Sequence, residues 1–262
     1  MFVVALLSLS TSADAETAGL AKDLGVTPYE AGQLVRGALP AVVFKSSDGA
    51  RAEAIAASMR QRGQGALACA VDQVIASDAM HVVRGFKLAP DALVSESQNG
   101  TSERLPWSDV RCAVKAVHHV SAQSVQVSRE RKFDLGRAVL TQGLVMTKGT
   151  TKEAATSVAQ REPVLYLFRK SGPPWLLTES QGRYGDLGPL VRLTRQENFT
   201  TLLRLIRERV PHVPWDERMV NFRSRADTLS SDLGGHQTTS SNASSTDLLA
   251  HVVAQSLAPR AQ

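Results

Sequence analysis

The chain has 262 residues, 43% of them hydrophobic, and a formal net charge of +5. This composition supplies a real hydrophobic core for one large domain or two small ones, and the mild positive charge permits anionic partners without requiring them. No apolar run reaches the length that spans a bilayer. Aromatic residues, at 5%, are too few for the stacking surface of single-stranded nucleic-acid binders, so nucleic acid is not an expected partner.

The N-terminal residues MFVVALLSLSTSADAE fit either a signal peptide or an opening strand. They lack a positively charged start and their apolar run is short, so we prefer a strand at residues 2–9 followed by a capped helix. The two cysteines, Cys69 and Cys112, both lie in apolar runs, which indicates buried free thiols in a reducing compartment rather than a disulfide. We therefore expect a cytoplasmic protein.

Local signals divide the first 70 residues into strands and helices. Thr27, Pro28 and Glu30 form a helix start in which threonine is the N-cap, proline takes the first helical position and glutamate completes a capping box. Ser47 is placed to cap a later helix that ends at Gly63. The predicted order is strand, helix, helix, strand, helix, strand, with the last strand at residues 66–70.

This βααβαβ order, predicted for residues 1–72, resembles the C-terminal domain of the ribosomal stalk protein, which shares its topology with the adaptor of the bacterial Clp protease. The resemblance is carried by FVVALLSLS at the start, then by GVTPYEAGQLVRGALP and DGARAEAIAASMRQRGQGALAC. It implies the fold, and binding of a translation or proteolysis factor. The stalk domain meets translation factors through lysines on its central helices, whereas the short helix carries Gly32, Gln33 and Arg36.

Residues 80–220 are predicted to form a second domain of mostly antiparallel strands, joined to the first by a polar link. Its central strand starts at Val110, where side chains should alternate between a core face and a mostly solvated face. The core face is predicted to hold Val110, Cys112, Val114, Ala116, His118 and Val120, and the solvated face Arg111, Ala113, Lys115, Val117 and His119. The run VLYLF at 164–168 predicts a strand covered on both sides, and Thr147 to Ala155 a polar turn region.

An amphipathic helix is predicted to close this second domain. Thr194 and Glu197 form a capping box, and an apolar stripe continues to Val210 before Pro211 ends the helix. Antiparallel strands closed by one helix resemble a pleckstrin-homology-like barrel, and KLAPDALVSE with RLPWSDV is similar to bacterial members of that group. The predicted fold class is α+β, a βααβαβ domain followed by a β-barrel with a closing helix.

Residues 221–262 are predicted to form a disordered tail, because Ser, Thr, Asn and Gly dominate residues 227–246. Helical spacing of apolar residues indicates a short helix at 246–257 within it. That helix either recruits a partner or folds back onto the body of the protein, and the pattern is too short to choose between these alternatives.

No residue pattern in the chain predicts catalysis. His118 and His119 are neighbours on a strand and point to opposite faces, so they do not share a metal ion. Cys112 and His118 share a face but are separated by roughly 20 Å of extended chain, which excludes a catalytic dyad within the strand. We predict no catalytic, cofactor or metal site, and no enzyme activity.

The sequence does offer a candidate interaction surface. Basic side chains on one face of the central strand and on the closing helix can bind an anionic membrane surface, or can be a solvated face paired with Glu208 or Glu217. Trp107 and Trp175 each follow a proline, and they either anchor the core or form an aromatic contact surface. The predicted surface comprises Arg111, Lys115, His119, Arg204, Arg207, Trp107 and Trp175.

The sequence thus favours a non-enzymatic interaction or scaffold protein with a protein partner that it does not identify. One alternative is a protein that binds the ribosome, a translation factor or a proteolysis factor through residues 1–72. Another is peripheral binding to an anionic membrane through the basic closing helix. The first two interpretations rest on fold-level analogy.

Overall fold

The computed structural model describes residues 1–96, 102–133, 147–221 and 238–258, which form an α+β fold. The helices are α1 (Ala13–Leu24), α2 (Pro28–Val35), α3 (Gly49–Gln61), α4 (Arg195–Arg209) and α5 (Ala243–Ser256). The strands are β1 (Phe2–Ser8), β2 (Ala41–Ser46), β3 (Gly65–Ala70), β4 (His81–Val83), β5 (Gly85–Leu88), β6 (Ala92–Glu96), β7 (Ser102–Pro106), β8 (Val110–Phe133), β9 (Thr147–Arg169), β10 (Trp175–Thr178), β11 (Trp215–Met219) and β12 (Thr238–Ser241).

The described residues fall into two units. The first draws on residues 1–118, 161–225 and 242–262, and the second on residues 119–160 and 226–241. In the second unit, β12 pairs antiparallel with β8, so that Thr238 lies opposite Gln123 and Ser241 opposite Val120.

The first 70 residues contain β1, α1, α2, β2, α3 and β3 in the predicted order. The sheet order is β2-β1-β3, and both outer strands run antiparallel to β1. The capping box of Thr27 and Glu30 at the start of α2 is confirmed. The predicted cap of α3 is wrong by one residue, because the carboxylate of Asp48, and not the hydroxyl of Ser47, accepts from the first-turn amides.

A polar cluster fastens α1 to α3. Arg62, at the end of α3, donates to Glu16 Oε1 at 2.6 Å and to Asp23 Oδ2 at 2.5 Å, and Gln64 Nε2 donates to Glu16 Oε2 at 2.8 Å. The hydrogen bond to Glu16 is the largest cause of a pKa of the Arg62 guanidinium that lies above its ordinary value. We refer to Glu16, Asp23, Arg62 and Gln64 as the Arg62 cluster.

The remaining strands form two further sheets, with orders β11-β8-β9-β10-β4 and β5-β6-β7. Within the described ranges neither sheet closes on itself, so the predicted barrel is not supported. One reason is length: β8 has 24 residues and β9 has 23, and β9 runs through the stretch Thr147 to Ala155 that we predicted as a turn region. The larger sheet ends instead at β11 and β4, which pair in parallel with β8 and β10.

Both faces of the larger sheet are covered at residues 164–168 of β9. The prediction for residues 164–168 is confirmed, since alternate side chains of that run enter two different hydrophobic clusters. The prediction of a mostly solvated face on β8 is wrong at Ala113 and Val117, which are buried. Trp107 and Trp175 are only 5% and 1% exposed and lie in the same cluster as the apolar stripe of α4, so they anchor the core and are not part of a surface.

Helix α5 lies inside the core. Its apolar residues share one hydrophobic cluster with side chains of β1, β8 and β9, and the run 249–254 is buried throughout. A helix that is buried on all sides needs apolar residues around most of its circumference, as this one has. The short helix predicted at 246–257 is confirmed, and of its two alternatives the structure has the one in which it folds back onto the body. The predicted disorder is wrong for residues 243–246, which form the start of this helix. Residues 222–237 and 259–262 of that tail lie outside the described residues.

Candidate interaction site

The basic residues predicted for the interaction surface are largely paired. Arg204 forms an ion pair with Glu208 one turn along α4, at 2.5 Å. Arg207 and Lys115 both approach Glu217 of β11, at 3.4 and 3.6 Å. The structure thus brings Lys115 and Arg207 together, but around a shared carboxylate that reduces their net charge.

Arg111 and His119 are placed differently. The Arg111 guanidinium lies beside the thiol of Cys112, and its Nε has no hydrogen-bond partner within the described residues. Burial raises the pKa of Cys112 to about 11, so this thiol stays protonated and unreactive at neutral pH. His119 belongs to the second unit. The basic residues of the predicted interaction surface are therefore mostly paired with carboxylates or partly buried.

A buried polar cluster joins four distant segments of the chain. Asp247 of α5 accepts from Tyr166 Oη at 2.6 Å, from Ser77 Oγ at 2.5 Å and from the Ser77 amide at 2.7 Å. The ring of His118 lies with Nε2 at 2.6 Å from Tyr166 Oη. We refer to Ser77, His118, Tyr166 and Asp247 as the Asp247 cluster.

The hydrogen-bond roles in the Asp247 cluster follow from its proton count. Tyr166 has one hydroxyl proton and gives it to Asp247, so His118 Nε2 carries a proton and donates to Tyr166. Burial, together with the charge of Asp247, raises the pKa of Tyr166 well above its usual value, which keeps the hydroxyl a donor. Asp247 is only 1% exposed. The cluster therefore fastens α5 and the 71–79 segment to the sheet.

His251 fastens α5 to the same segment. Its Nε2 accepts from the Ile75 amide at 3.2 Å, and its Nδ1 donates to the backbone carbonyl of Asp247 at 2.8 Å. Burial lowers the pKa of His251, consistent with a neutral ring that accepts at one nitrogen and donates at the other. The segment that we predicted as a polar link is thus tied to α5, and its apolar residues pack against the core.

The described surface carries one run of exposed apolar side chains, just before α4. Leu193 is fully exposed (102%), Val191 is 46% exposed and Leu190 is 37% exposed. The backbone enters this run through Gly188, whose φ of 56° lies in the left-handed region that favours glycine. We refer to residues 188–194 as the Leu193 loop.

Hydrogen bonds hold the backbone of the Leu193 loop in place. The side chain of Asn198, buried in α4, accepts from the Arg192 amide at 2.6 Å and donates to the Arg192 carbonyl at 3.0 Å. Thr194 forms the predicted capping box with Glu197, and this fixes the end of the loop at the start of α4. The loop is therefore preorganised, with its apolar side chains directed outwards.

Sequence reasoning missed this loop, although one signal was present. A hydrophobic residue just before a helix N-cap commonly packs against the fourth helical residue, an arrangement known as the hydrophobic staple. Here Leu193 precedes the cap, and the fourth residue is the polar Asn198. Because Asn198 bonds to the backbone of Arg192, Leu193 has no apolar partner on the helix and projects into solvent.

No family model, curated protein or solved structure matches this chain. None of the helices in the described ranges is long and apolar enough to cross a bilayer. The same ranges contain no group of three or more histidine, cysteine, aspartate or glutamate side chains arranged to hold a metal ion.

Proposed function

We propose that this chain is a non-enzymatic interaction protein and that the Leu193 loop is its contact with a protein partner. The observation that carries the proposal is the set of three apolar side chains held outwards by a hydrogen-bonded backbone. Exposed apolar side chains that adjoin one another mark interaction sites more often than isolated ones do.

The fixed backbone also favours binding. A loop that is already ordered loses less conformational entropy on association than a flexible one does. A few well-packed anchor residues supply most of the affinity of a protein interface, each contributing about 2 kcal/mol or more. Leu193, fully exposed at the tip of a clamped loop, fits the role of such an anchor.

The buried groups are consistent with this proposal. The side chains best suited to chemistry lie in the Asp247 cluster, where they bond to one another inside the core. Both cysteines are free and buried, which supports the expected reducing compartment, the cytoplasm.

A second candidate is the binding of a translation or proteolysis factor through residues 1–72. The observation that favours it is Tyr29, which is 74% exposed in the first turn of α2 and has the exposed Val26 nearby in sequence. Both residues lie in GVTPYEAGQLVRGALP, a segment that resembles the stalk protein. Peripheral membrane binding through α4 has less support, since Arg204 and Arg207 are both paired with glutamates.

The test is affinity capture from native cell extract with three full-length chains: the natural chain, Leu193→Ser and the matched exposed control Tyr29→Ser. We expect Leu193→Ser to lose the partner and Tyr29→Ser to retain it. The reverse result would favour the second candidate. Equal capture by all three chains would show that neither exposed site is the contact.

A further inference from the structure

We infer that the partner surface receiving the Leu193 loop is an apolar groove with a carboxylate at its rim. The inference rests on the proposed function and adds the chemistry of the partner. It is drawn from Arg192, which lies between the apolar Val191 and Leu193.

The backbone of Arg192 is fixed, but its side chain is not engaged. Asn198 holds both the amide and the carbonyl of this residue. The exposed guanidinium forms no ion pair with the described residues, a state that it shares with Arg183 and Arg209, but it is the one that lies between the exposed Val191 and Leu193. The loop therefore presents an unpaired cation among apolar side chains, on a backbone that is held in place.

This combination specifies the groove. Burying the apolar side chains of the loop requires an apolar surface around them, and it would bring the guanidinium against the edge of that surface. An arginine brought to an interface without an anionic partner is costly, while a carboxylate receives the planar guanidinium through two parallel hydrogen bonds. An apolar groove buries the apolar side chains of the loop, and a carboxylate at its rim pairs with the guanidinium of Arg192.

The local charge favours a protein groove over an anionic bilayer. Between residues 183 and 197, the three arginines Arg183, Arg192 and Arg195 face two acids, Asp186 and Glu197, which leaves a net charge of +1. Stable membrane anchoring takes two signals, such as an apolar insertion together with a polybasic patch. The Leu193 loop has the first and lacks the second.

The experiment places a photo-crosslinking amino acid at Leu190 of the full-length chain, which leaves Arg192 and Leu193 intact. The chain is irradiated in native extract, and the attached partner peptide is sequenced by mass spectrometry. The same labelled chain is prepared with Arg192→Glu, with Arg192→Lys, and with the matched control Arg183→Glu, an exposed arginine on the approach to the loop. Vesicles of phosphatidylcholine and phosphatidylserine test the lipid alternative at low salt.

We expect a partner peptide that contains both apolar residues and an aspartate or glutamate. Arg192→Glu should lower the crosslinking yield by about tenfold or more, because it places like charges together. Arg192→Lys should lower it less, since lysine keeps the charge and loses the two parallel bonds. Arg183→Glu should leave the yield unchanged, and the vesicles should not bind.

Other outcomes separate this inference from the proposed function. A crosslinked partner whose peptide has no carboxylate, or whose yield does not respond to Arg192→Glu, would overturn the inference and leave the interaction function standing. Binding to the vesicles that is lost in Leu193→Ser would overturn both. A crosslink to a second copy of the chain would replace the external partner with self-association. Absence of any crosslink would remove the loop as a contact.

Discussion

The Arg62 cluster and the Asp247 cluster are two buried polar networks that perform different tasks. The Arg62 cluster joins side chains between residues 16 and 64, so it fastens elements that are already close in sequence. The Asp247 cluster joins residues 77, 118, 166 and 247, which are far apart in sequence. The first relies on ion pairs at a partly exposed arginine, and the second on short hydrogen bonds in the interior.

The difference shows how a polar network can either reinforce a local unit or define how distant segments meet. Apolar packing is tolerant of position, whereas a buried donor or acceptor needs its partner in one geometry. We infer that the Arg62 cluster sets the stability of the N-terminal sheet and its helices. The Asp247 cluster sets the register of α5 against the sheet and the 71–79 segment.

The largest expected effect is from Arg62→Ala. It leaves Glu16, which is buried, and Asp23 without their cation, and an uncompensated buried charge lowers the free energy of unfolding by about 3 kcal/mol. Urea unfolding measures the loss, and hydrogen exchange should place it between residues 1 and 70. The control is Arg36→Ala, which breaks an exposed pair with Asp14 and should cost well under about 1 kcal/mol. Equal losses in the two variants would contradict the assigned role.

Asp247→Asn is expected to cause the next largest loss in the free energy of unfolding. The amide has the shape of the carboxylate but presents a donor where an acceptor is needed, so one of three incoming hydrogen bonds is lost and a buried donor is left unpaired. We expect a loss of about 2 kcal/mol in the free energy of unfolding. Hydrogen exchange should rise in α5 and in residues 75–77 together, unlike the local response to Arg62→Ala. The exposed Asp78→Asn is the matched control, and protection of α5 equal to that control would contradict the prediction.

The same difference between local and long-range contacts explains which elements could be predicted from the sequence. In the first 70 residues, caps such as Thr27 and the spacing of apolar residues act within a few positions, so they specified the order of the elements. The apolar spacing of α5 was visible too, but the Ser- and Thr-rich residues before it favoured a tail. Its burial depends on β1, β8 and β9, which are far away in sequence.

The candidate site was hidden for a related physical reason. Leucine is common in protein sequences, and the sequence alone does not distinguish an exposed leucine such as Leu193 from one in the core. A strand was predicted at each of β8 and β9, but not its full length, and residues 147–155 of β9 were missed because their polar residues matched a turn pattern. The paired state of Lys115 and Arg207 depends on β11 bringing Glu217 between them, and no local signal encodes that contact.

The third prediction concerns pH and His251. Its pKa in the folded protein lies below the ordinary value of 6.5, so between these two values the unfolded chain holds a proton that the folded chain does not. Stability is fully present above about pH 6.5 and falls as the pH drops below it, by at most about 1.4 kcal/mol per pH unit from this group. Urea unfolding between pH 8 and pH 5 should show a shallower dependence in His251→Gln. His212→Gln, which removes an exposed imidazole, is the matched control, and identical slopes in the two variants would contradict the prediction.

The smallest effect is expected from Ser77→Ala. This change removes one donor to Asp247 Oδ1 but keeps the backbone amide of residue 77 on Oδ2 and the Tyr166 hydroxyl on Oδ1, so the carboxylate stays bonded at both oxygens. We expect a loss of about 1 kcal/mol in the free energy of unfolding. Ser58→Ala removes a comparable donor to Asp23 and should cost less, because that carboxylate is 12% exposed, against 2% for Asp247, and water can replace the donor. Combining Ser77→Ala with Tyr166→Phe gives the sharper measurement. Both hydroxyls donate to the same oxygen, so the double variant should lose more than the sum of the single variants if the Asp247 cluster acts as one unit, and simple additivity would show that its bonds contribute separately.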